Sequence, residues 1–212
     1  MLHLFARAAA AGLVLAASAL HGARAETWLE SVAVVELKGG VLIHDVGRDH
    51  NESNSIDING EIVIQGDDLF PVENRILRFV LNPRLAIGGS VNTEGSTHQG
   101  YAAFDWQYLF ETGIFVGASL GAIGHTGNLH QATVPCVAGE ICTLPGNRKY
   151  VDSGDPSLGS RVLIRQAAEI GYKFENGLLV SVVGAHMSNA GLAKDNDGMD
   201  FVGVRFGYWF TR

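Results

Sequence analysis

The stretch that decides the fold lies near the end of the chain, where residues 180–191 read VSVVGAHMSNAG and residues 195–210 read DNDGMDFVGVRFGYWF. In both halves apolar residues alternate with small or polar ones, and a polar loop separates the halves. Alternation with a period of two is typical of a half-buried β-strand. We therefore predict a β-hairpin here, and we ask how far the same pattern extends along the chain.

Six further segments upstream carry the period-two pattern, at about 31–45, 56–64, 78–91, 102–110, 114–125 and 161–174. Pro83 interrupts the third segment and predicts a bulge or bend there, because proline cannot donate to a sheet. Tight turns are predicted at Thr112-Gly113 and Asn176-Gly177, and longer connections near residues 50, 140 and 193. The chain thus predicts eight antiparallel strands joined alternately by short and long connections.

Two architectures fit eight such strands: a soluble barrel or sandwich with an apolar core, or an outer-membrane β-barrel with an apolar outer face. Aromatic residues cluster at strand ends, as interfacial girdles do, at Tyr108 and Phe110, Tyr172 and Phe174, and Tyr208 and Phe210. The opposite face mixes charges of both signs, which can pair across a narrow lumen: Glu36, Lys38, Glu61, Arg84, Asp105, Arg161, Arg165, Glu169, Lys173 and Arg205. We favour an all-β fold, an eight-stranded antiparallel transmembrane β-barrel of the bacterial outer membrane.

The first 25 residues have the features of a secretory signal peptide: Arg7, a short apolar run from Ala8 to Leu20, and small residues at Ala23 and Ala25. The predicted organisation is a signal peptide over 1–25 and the barrel over 26–212. The net charge is −7, so the chain offers no basic surface for nucleic acid.

Two cysteines, Cys136 and Cys142, lie in one polar loop of a chain predicted to be exported. A small disulfide is the expected arrangement. Free thiols or a metal site are the alternatives, and no second Cys/His pair supports a metal.

Candidate catalytic residues lie where the two strands of the opening hairpin meet their loop. His186 and Ser188 are two residues apart and so share a strand face, and pairing of the strands would bring Asp200 beside His186. A hydroxyl, an imidazole and a carboxylate in that order are the parts of a nucleophilic triad. All three residues fall on the predicted lipid-facing side at the outer end of the barrel. The alternative is a polar strand end with ordinary turn residues; His44, Asp45 and His125, also at strand ends, are interpreted as satisfied polar residues.

These residues resemble a known family. HMSNAGL at 186–192, NDG at 196–198 and an acid two residues later look like the lipid A 3-O-deacylase family (PagL type), and weaker likeness appears at 57–61, 83–93 and 159–163. The resemblance implies an eight-stranded outer-membrane esterase that removes the 3-O-linked hydroxyacyl chain of lipid A. It implies no cofactor and no metal; the partners are lipopolysaccharide and membrane lipid, and a homodimer is left open.

By position, the resemblance assigns the nucleophile to Ser188 and the general base to His186. Asp200 stands where the family has a glutamate, so its shorter side chain must still reach the histidine. Residues associated with the oxyanion hole or its support are Asn189, Gly191 and Asn196. Two other functions compete with the esterase: an inactive or structural small barrel, and a narrow transport barrel, which a lumen filled by side chains disfavours.

Overall fold

Eight long strands close into a barrel in the computed structural model, which describes residues 31–47, 52, 55–129, 133–135, 150–152 and 156–210. The elements in chain order are β1 (Ala33–Ile43), β2 (Ile56–Gln65), α1 (Arg75–Leu81), β3 (Arg84–Asn92), β4 (Gln99–Leu109), β5 (Ile114–His125), β6 (Thr133–Pro135), β7 (Tyr150–Asp152), β8 (Val162–Lys173), β9 (Leu178–Ser188) and β10 (Met199–Trp209).

Each barrel strand pairs antiparallel with its neighbours in the order β1-β10-β9-β8-β5-β4-β3-β2, and β1 closes on both β10 and β2. The predicted eight-stranded antiparallel barrel is confirmed. Two short strands, β6 and β7, pair with each other inside the long connection between β5 and β8, where only a loop was expected. We call the end that carries connections 44–55, 93–98, 126–161 and 189–198 the loop end, and the opposite end the turn end.

The two faces of the barrel wall have opposite character, as the sequence pattern predicts. Large apolar side chains are exposed on the outside, whereas charged side chains of β1, β2, β3, β4, β8 and β10 are buried in the lumen. Lys38 Nζ lies 3.0 Å from a Glu169 oxygen and 3.1 Å from a Glu36 oxygen, and Arg205 Nη1 lies 2.9 Å from Glu61. Because burying a charge without a partner is costly, this network both fills the lumen and satisfies its charges.

One predicted lumenal residue lies elsewhere. Arg161 precedes β8, is exposed, and donates through Nη1 to the Gly127 carbonyl oxygen at 2.6 Å. It joins the two ends of the long connection at the loop end, because the strand begins one residue later than the sequence pattern suggested.

The loop end of the lumen is packed with apolar side chains, in contrast to the charged middle. Its cluster is made of buried residues from six strands and the loop before β8: Leu42, Tyr101, Ile123, Leu158, Leu163, Val183, Met187, Met199 and Phe201. This cluster lies behind the wall at the end of the β9–β10 hairpin, so it provides a close-packed support for whatever that hairpin carries.

The third predicted strand is wrong in its first half. Residues 75–81 form the helix α1, and β3 begins only at Arg84. The Asn74 side chain accepts hydrogen bonds from the Ile76 and Leu77 amides and so caps the helix, and Pro83 disfavours helical backbone at the residue before it. Phe79 and Leu81, which fall within the segment 78–91 predicted as a strand, lie on the helix instead.

The predicted signal peptide, Cys136 and Cys142 lie outside the described residues. Within the described part of the chain, no helix combines the length and apolar character needed to cross a membrane.

Candidate functional site

The pairing of β9 with β10 brings the proposed acid to the proposed base. Asp200 lies directly opposite His186 in the register, and its Oδ1 is 2.7 Å from His186 Nδ1. The shorter aspartate therefore reaches the imidazole, which the sequence alone could not decide.

Alternation along each strand holds these two side chains at the outer surface. The His186 and Asp200 side chains are 33% and 36% exposed, whereas their neighbours Met187 and Met199 point inward and are fully buried in the apolar cluster. Since Met187 and Met199 are themselves register partners, packing inside the barrel fixes the backbone that presents the polar pair outside.

Ser188 lies two residues beyond His186 at the end of β9 and is half-buried on the same face. Gly198, at the start of the returning chain, adjoins both side chains. A β-carbon at position 198 would lie 3.1 Å from His186 Cε1 and 3.4 Å from Ser188 Cβ. The imidazole and the serine side chain thus flank one small space that is open because residue 198 has no side chain.

The loop after Ser188 is held by the residues that the family resemblance associates with the oxyanion hole or its support. The Asn189 N–H donates to Asn196 Oδ1 at 2.8 Å, and the Gly191 N–H donates to Asn189 Oδ1 at 2.9 Å. These contacts brace the turn. Between them, Ala190 adopts a left-handed conformation (φ 54°), which is costly for a residue with a β-carbon. Its N–H donates to no acceptor among the described residues.

A second segment, which sequence reasoning missed, supports this loop from the side. The chain returning from the long β5–β8 connection donates through the Ser157 N–H to Asp197 Oδ2 at 2.7 Å, and the Asp197 N–H donates to the Ser157 carbonyl oxygen at 3.1 Å. Asn189 Nδ2 donates to the Leu158 carbonyl oxygen at 3.0 Å. No local pattern signals these contacts, because they join residues about thirty to forty positions apart.

The chain leaving β1 contacts the site from the other side. The Val46 N–H donates to the Asp200 carbonyl oxygen at 2.8 Å, just after Asp45, which is buried and has φ 48°. Asp45 Oδ2 accepts from the Glu52 N–H at 3.0 Å. Burial raises the pKa of the Asp45 carboxyl. Asp200 is therefore held on one side by its pairing with β9 and on the other by the chain that follows β1.

A second histidine lies at the same end of the barrel but inside it. His44 Nδ1 is 2.9 Å from Asp57 Oδ1, and Nε2 is 3.0 Å from Glu52 Oε2. Burial alone would lower the pKa of His44, but the hydrogen bonds to Asp57 and Glu52 outweigh it and raise the pKa to about 9. Its partners satisfy it fully, in agreement with the interpretation from the sequence. Among the described residues no group of three or more His, Cys, Asp or Glu side chains is arranged to hold a metal ion.

Comparison with known proteins gives a family match over the half of the chain that contains this site. The family model described as PagL, lipid A 3-O-deacylase, matches residues 90–209. No curated protein sequence matches the chain.

Among solved structures, the crystal structure of the outer membrane enzyme PagL is similar over 84% of this chain and 100% of its own, with a TM-score of 0.53 and 20% sequence identity. At that identity the likeness shows the fold. Two further barrels match 84% of this chain and 98% of their own chains. They are a de novo designed transmembrane β-barrel (12% identity, TM-score 0.43) and the N-terminal β-barrel domain of Pseudomonas aeruginosa OprF (14% identity, TM-score 0.41).

Proposed function

The chain belongs to the lipid A 3-O-deacylase family, and from that premise we propose that it is an esterase that hydrolyses the 3-O-linked hydroxyacyl chain of lipid A with Ser188, His186 and Asp200. The barrel is an outer-membrane barrel. Family membership supports a lipid A deacylase; the residues and their roles are our proposal.

The observation that carries the proposal is the 2.7 Å contact between His186 and Asp200, with Ser188 beside them on the outer wall at the loop end. Polar side chains on a lipid-facing surface are costly and are functional candidates for that reason. In an outer-membrane barrel the long loops face the cell exterior, so the site lies at the level of the outer leaflet, where lipid A is found.

The proposed reaction is a two-step acyl transfer. Asp200 holds Nδ1 of His186 and fixes the tautomer, so we assign Nε2 to the proton transfer. Nε2 takes the proton from Ser188 Oγ as the oxygen attacks the ester carbonyl carbon. The tetrahedral intermediate collapses with cleavage of the bond to the sugar oxygen, which receives the proton from His186. Water then repeats the sequence on the acyl-serine and releases the free fatty acid.

The oxyanion formed in each step needs a hydrogen-bond donor. Because the Asn189 and Gly191 amides already brace the loop, we assign this role to the Ala190 N–H between them. Asn189, Gly191 and Asn196 act as its support, because their hydrogen bonds fix the loop on either side of Ala190.

The acyl chain would lie along the outer wall below the site. Val182 and Val204 are register partners there and are both exposed. Gly184, two residues before His186 on the same face, faces open space, since a β-carbon there would meet no atom within 4 Å. All residues of the proposed site come from one chain, so the chemistry does not require a second copy.

The test is mass spectrometry of lipid A from cells that express the wild type, Ser188→Ala, or Ser96→Ala. Ser96 lies at the loop end between β3 and β4, away from the β9–β10 hairpin, so it is a matched serine control. We expect loss of one hydroxyacyl chain with the wild type and Ser96→Ala, and intact lipid A with Ser188→Ala. Intact lipid A in all three, with the folded barrel in the outer membrane, would contradict the proposal.

A further inference from the structure

The short helix α1 at the turn end has two sharply separated faces. With 100° between successive residues, the polar side chains of Asn74, Arg75, Arg78 and Asn82 share one continuous arc. The remaining arc carries only apolar residues: Ile76, Leu77, Phe79, Val80 and Leu81.

The polar face is hydrogen-bonded to the connector that leads into the helix, although the Arg78 side chain remains 62% exposed. Asn82 Oδ1 accepts from the Phe70 N–H at 2.8 Å, and Asn82 Nδ2 donates to the Phe70 carbonyl oxygen at 2.8 Å. Arg78 Nε donates to Asp68 Oδ2 in the same connector. The chain therefore folds back on the polar side of the helix.

The apolar face is exposed as well. No residue of α1 is buried, and all five apolar side chains are exposed, with Ile76 at 75%. In a helix that packs on a water-soluble domain the apolar face is covered, whereas here it is exposed.

A contact with the barrel wall places the helix beside the outward-facing side chains of β4. Trp106 lies on β4 in the outward-facing row that also holds Phe104 and Tyr108, and its Nε1 donates to the Val80 carbonyl oxygen at 3.0 Å. The C-terminal end of α1 is thus attached to the lipid-facing wall of the barrel. Tryptophan with its N–H satisfied is typical of the membrane–water interface.

We propose that α1 is an interfacial anchor, which lies in the periplasmic leaflet of the outer membrane with its apolar face among phospholipid acyl chains. The turn end is the periplasmic end of the barrel, so the lipid there is phospholipid and not the substrate of the proposed esterase. Arg75, on the polar face, would lie at the level of the headgroups. An amphipathic helix held parallel to the membrane binds in proportion to its buried apolar area.

The test uses tryptophan fluorescence of the full barrel in phosphatidylcholine vesicles whose acyl chains are brominated at carbons 6 and 7. Ile76→Trp places a reporter on the apolar face, and Arg75→Trp places one on the adjoining polar face. The parent protein supplies the background from the native tryptophans, and heat-dependent migration on gels checks that each barrel is folded. If Ile76→Trp does not fold, Leu77→Trp reports on the same face.

We expect brominated lipid to quench the added fluorescence of Ile76→Trp at least twofold more than that of Arg75→Trp, and aqueous acrylamide to show the opposite order. Equal quenching by acrylamide with no quenching by lipid would overturn the proposal, because the face would then be in water. Protection of Ile76→Trp from both quenchers would also overturn it, since a protein partner or a second copy would then cover the face.

Discussion

At the loop end of the barrel, His44 and His186 each meet an aspartate through Nδ1, at 2.9 Å and 2.7 Å. The two pairs differ in the surroundings of the ring. His44 is fully buried in the lumen and its Nε2 meets a second carboxylate, that of Glu52, whereas His186 is one third exposed on the outer wall and has Ser188 two residues away.

The difference shows that a histidine–aspartate contact does not by itself identify a catalytic base. A histidine that lies between two carboxylates is stabilised in its charged form and cannot accept a proton, so His44 serves as a structural cation. The pKa of His44 is raised to about 9. The pKa of Glu52 is lowered, because its hydrogen bonds to His44 and Thr97 outweigh the effect of burial. The two side chains therefore form an ion pair, and the bond from Thr97 to Glu52 ties the β1–β2 loop to the β3–β4 loop. Only the exposed pair is placed to serve as a base.

The largest expected difference is between alanine substitutions at the two histidines. His186→Ala should abolish lipid A deacylation, by roughly 10⁵-fold or more as for loss of a triad base, with unchanged stability. His44→Ala should leave the chemistry of the folded protein intact but cost about 3–5 kcal/mol of stability, because Asp57 and Glu52 lose their buried counter-charge.

The measurements are the rate of fatty-acid release per folded barrel and the urea midpoint of unfolding. A loss of activity per folded molecule in His44→Ala as large as that in His186→Ala would remove the functional distinction between the two pairs.

The two aspartates should separate in the same way. Asp200→Asn keeps the size of the side chain but no longer fixes the tautomer of His186, and a loss of about 10⁴-fold in kcat is expected. Asp57→Asn should retain the rate and lower stability, because the Asp57 carboxylate also accepts from Asn92 Nδ2 at 2.9 Å. Steady-state kinetics on both variants, beside their unfolding midpoints, decide the matter; a wild-type rate in Asp200→Asn would exclude it from the triad.

The sequence alone predicted the barrel, its two faces and the pairing of His186 with Asp200 across two strands. All three depend on the alternation of side chains along neighbouring strands. The structure shows this alternation at Met187, which is buried while its neighbours His186 and Ser188 lie on the outer face. The support from Ser157 and Leu158 could not be predicted, since it depends on where a long connection returns to the barrel. Nothing local marks that return.

The helix α1 was missed for a different reason. Over seven residues, apolar positions two apart, such as Phe79 and Leu81, fit a strand as well as one face of a helix. Two signals distinguish a helix from a strand here: the N-cap residue Asn74 and Pro83. They mark the start and the end of a helix more naturally than a bend in a strand.

A smaller effect is expected from filling the space beside the exposed pair. Gly198→Ala places a β-carbon 3.1 Å from His186 Cε1 and 3.0 Å from the Met187 carbonyl oxygen, at a residue with φ 69°. We expect kcat to fall by about 10- to 100-fold through displacement of the imidazole. Gly95→Ala is the control, because its φ is 85° and no atom lies within 4 Å of the added carbon. Equal losses in both variants would assign the effect to backbone strain alone.

A still smaller change is expected from Asp200→Glu. Since Asp200 already contacts His186 at 2.7 Å, the added methylene has no gap to close and must be accommodated by a different rotamer. We expect kcat to change by less than about tenfold, with no gain. A clear gain in the deacylation rate would show that the aspartate limits this chain relative to the family pattern.

The pH dependence of stability isolates the buried pair. The pKa of His44 in the folded protein, about 9, lies above its unfolded value of 6.5, so its contribution is complete below pH 6.5 and is lost as the pH rises through 9. The wild type should therefore lose more stability between pH 6.5 and pH 10 than His44→Gln, which cannot be charged. Urea midpoints at both pH values for the two proteins measure this difference. Parallel pH dependence in wild type and variant would show that His44 is neutral in the folded barrel.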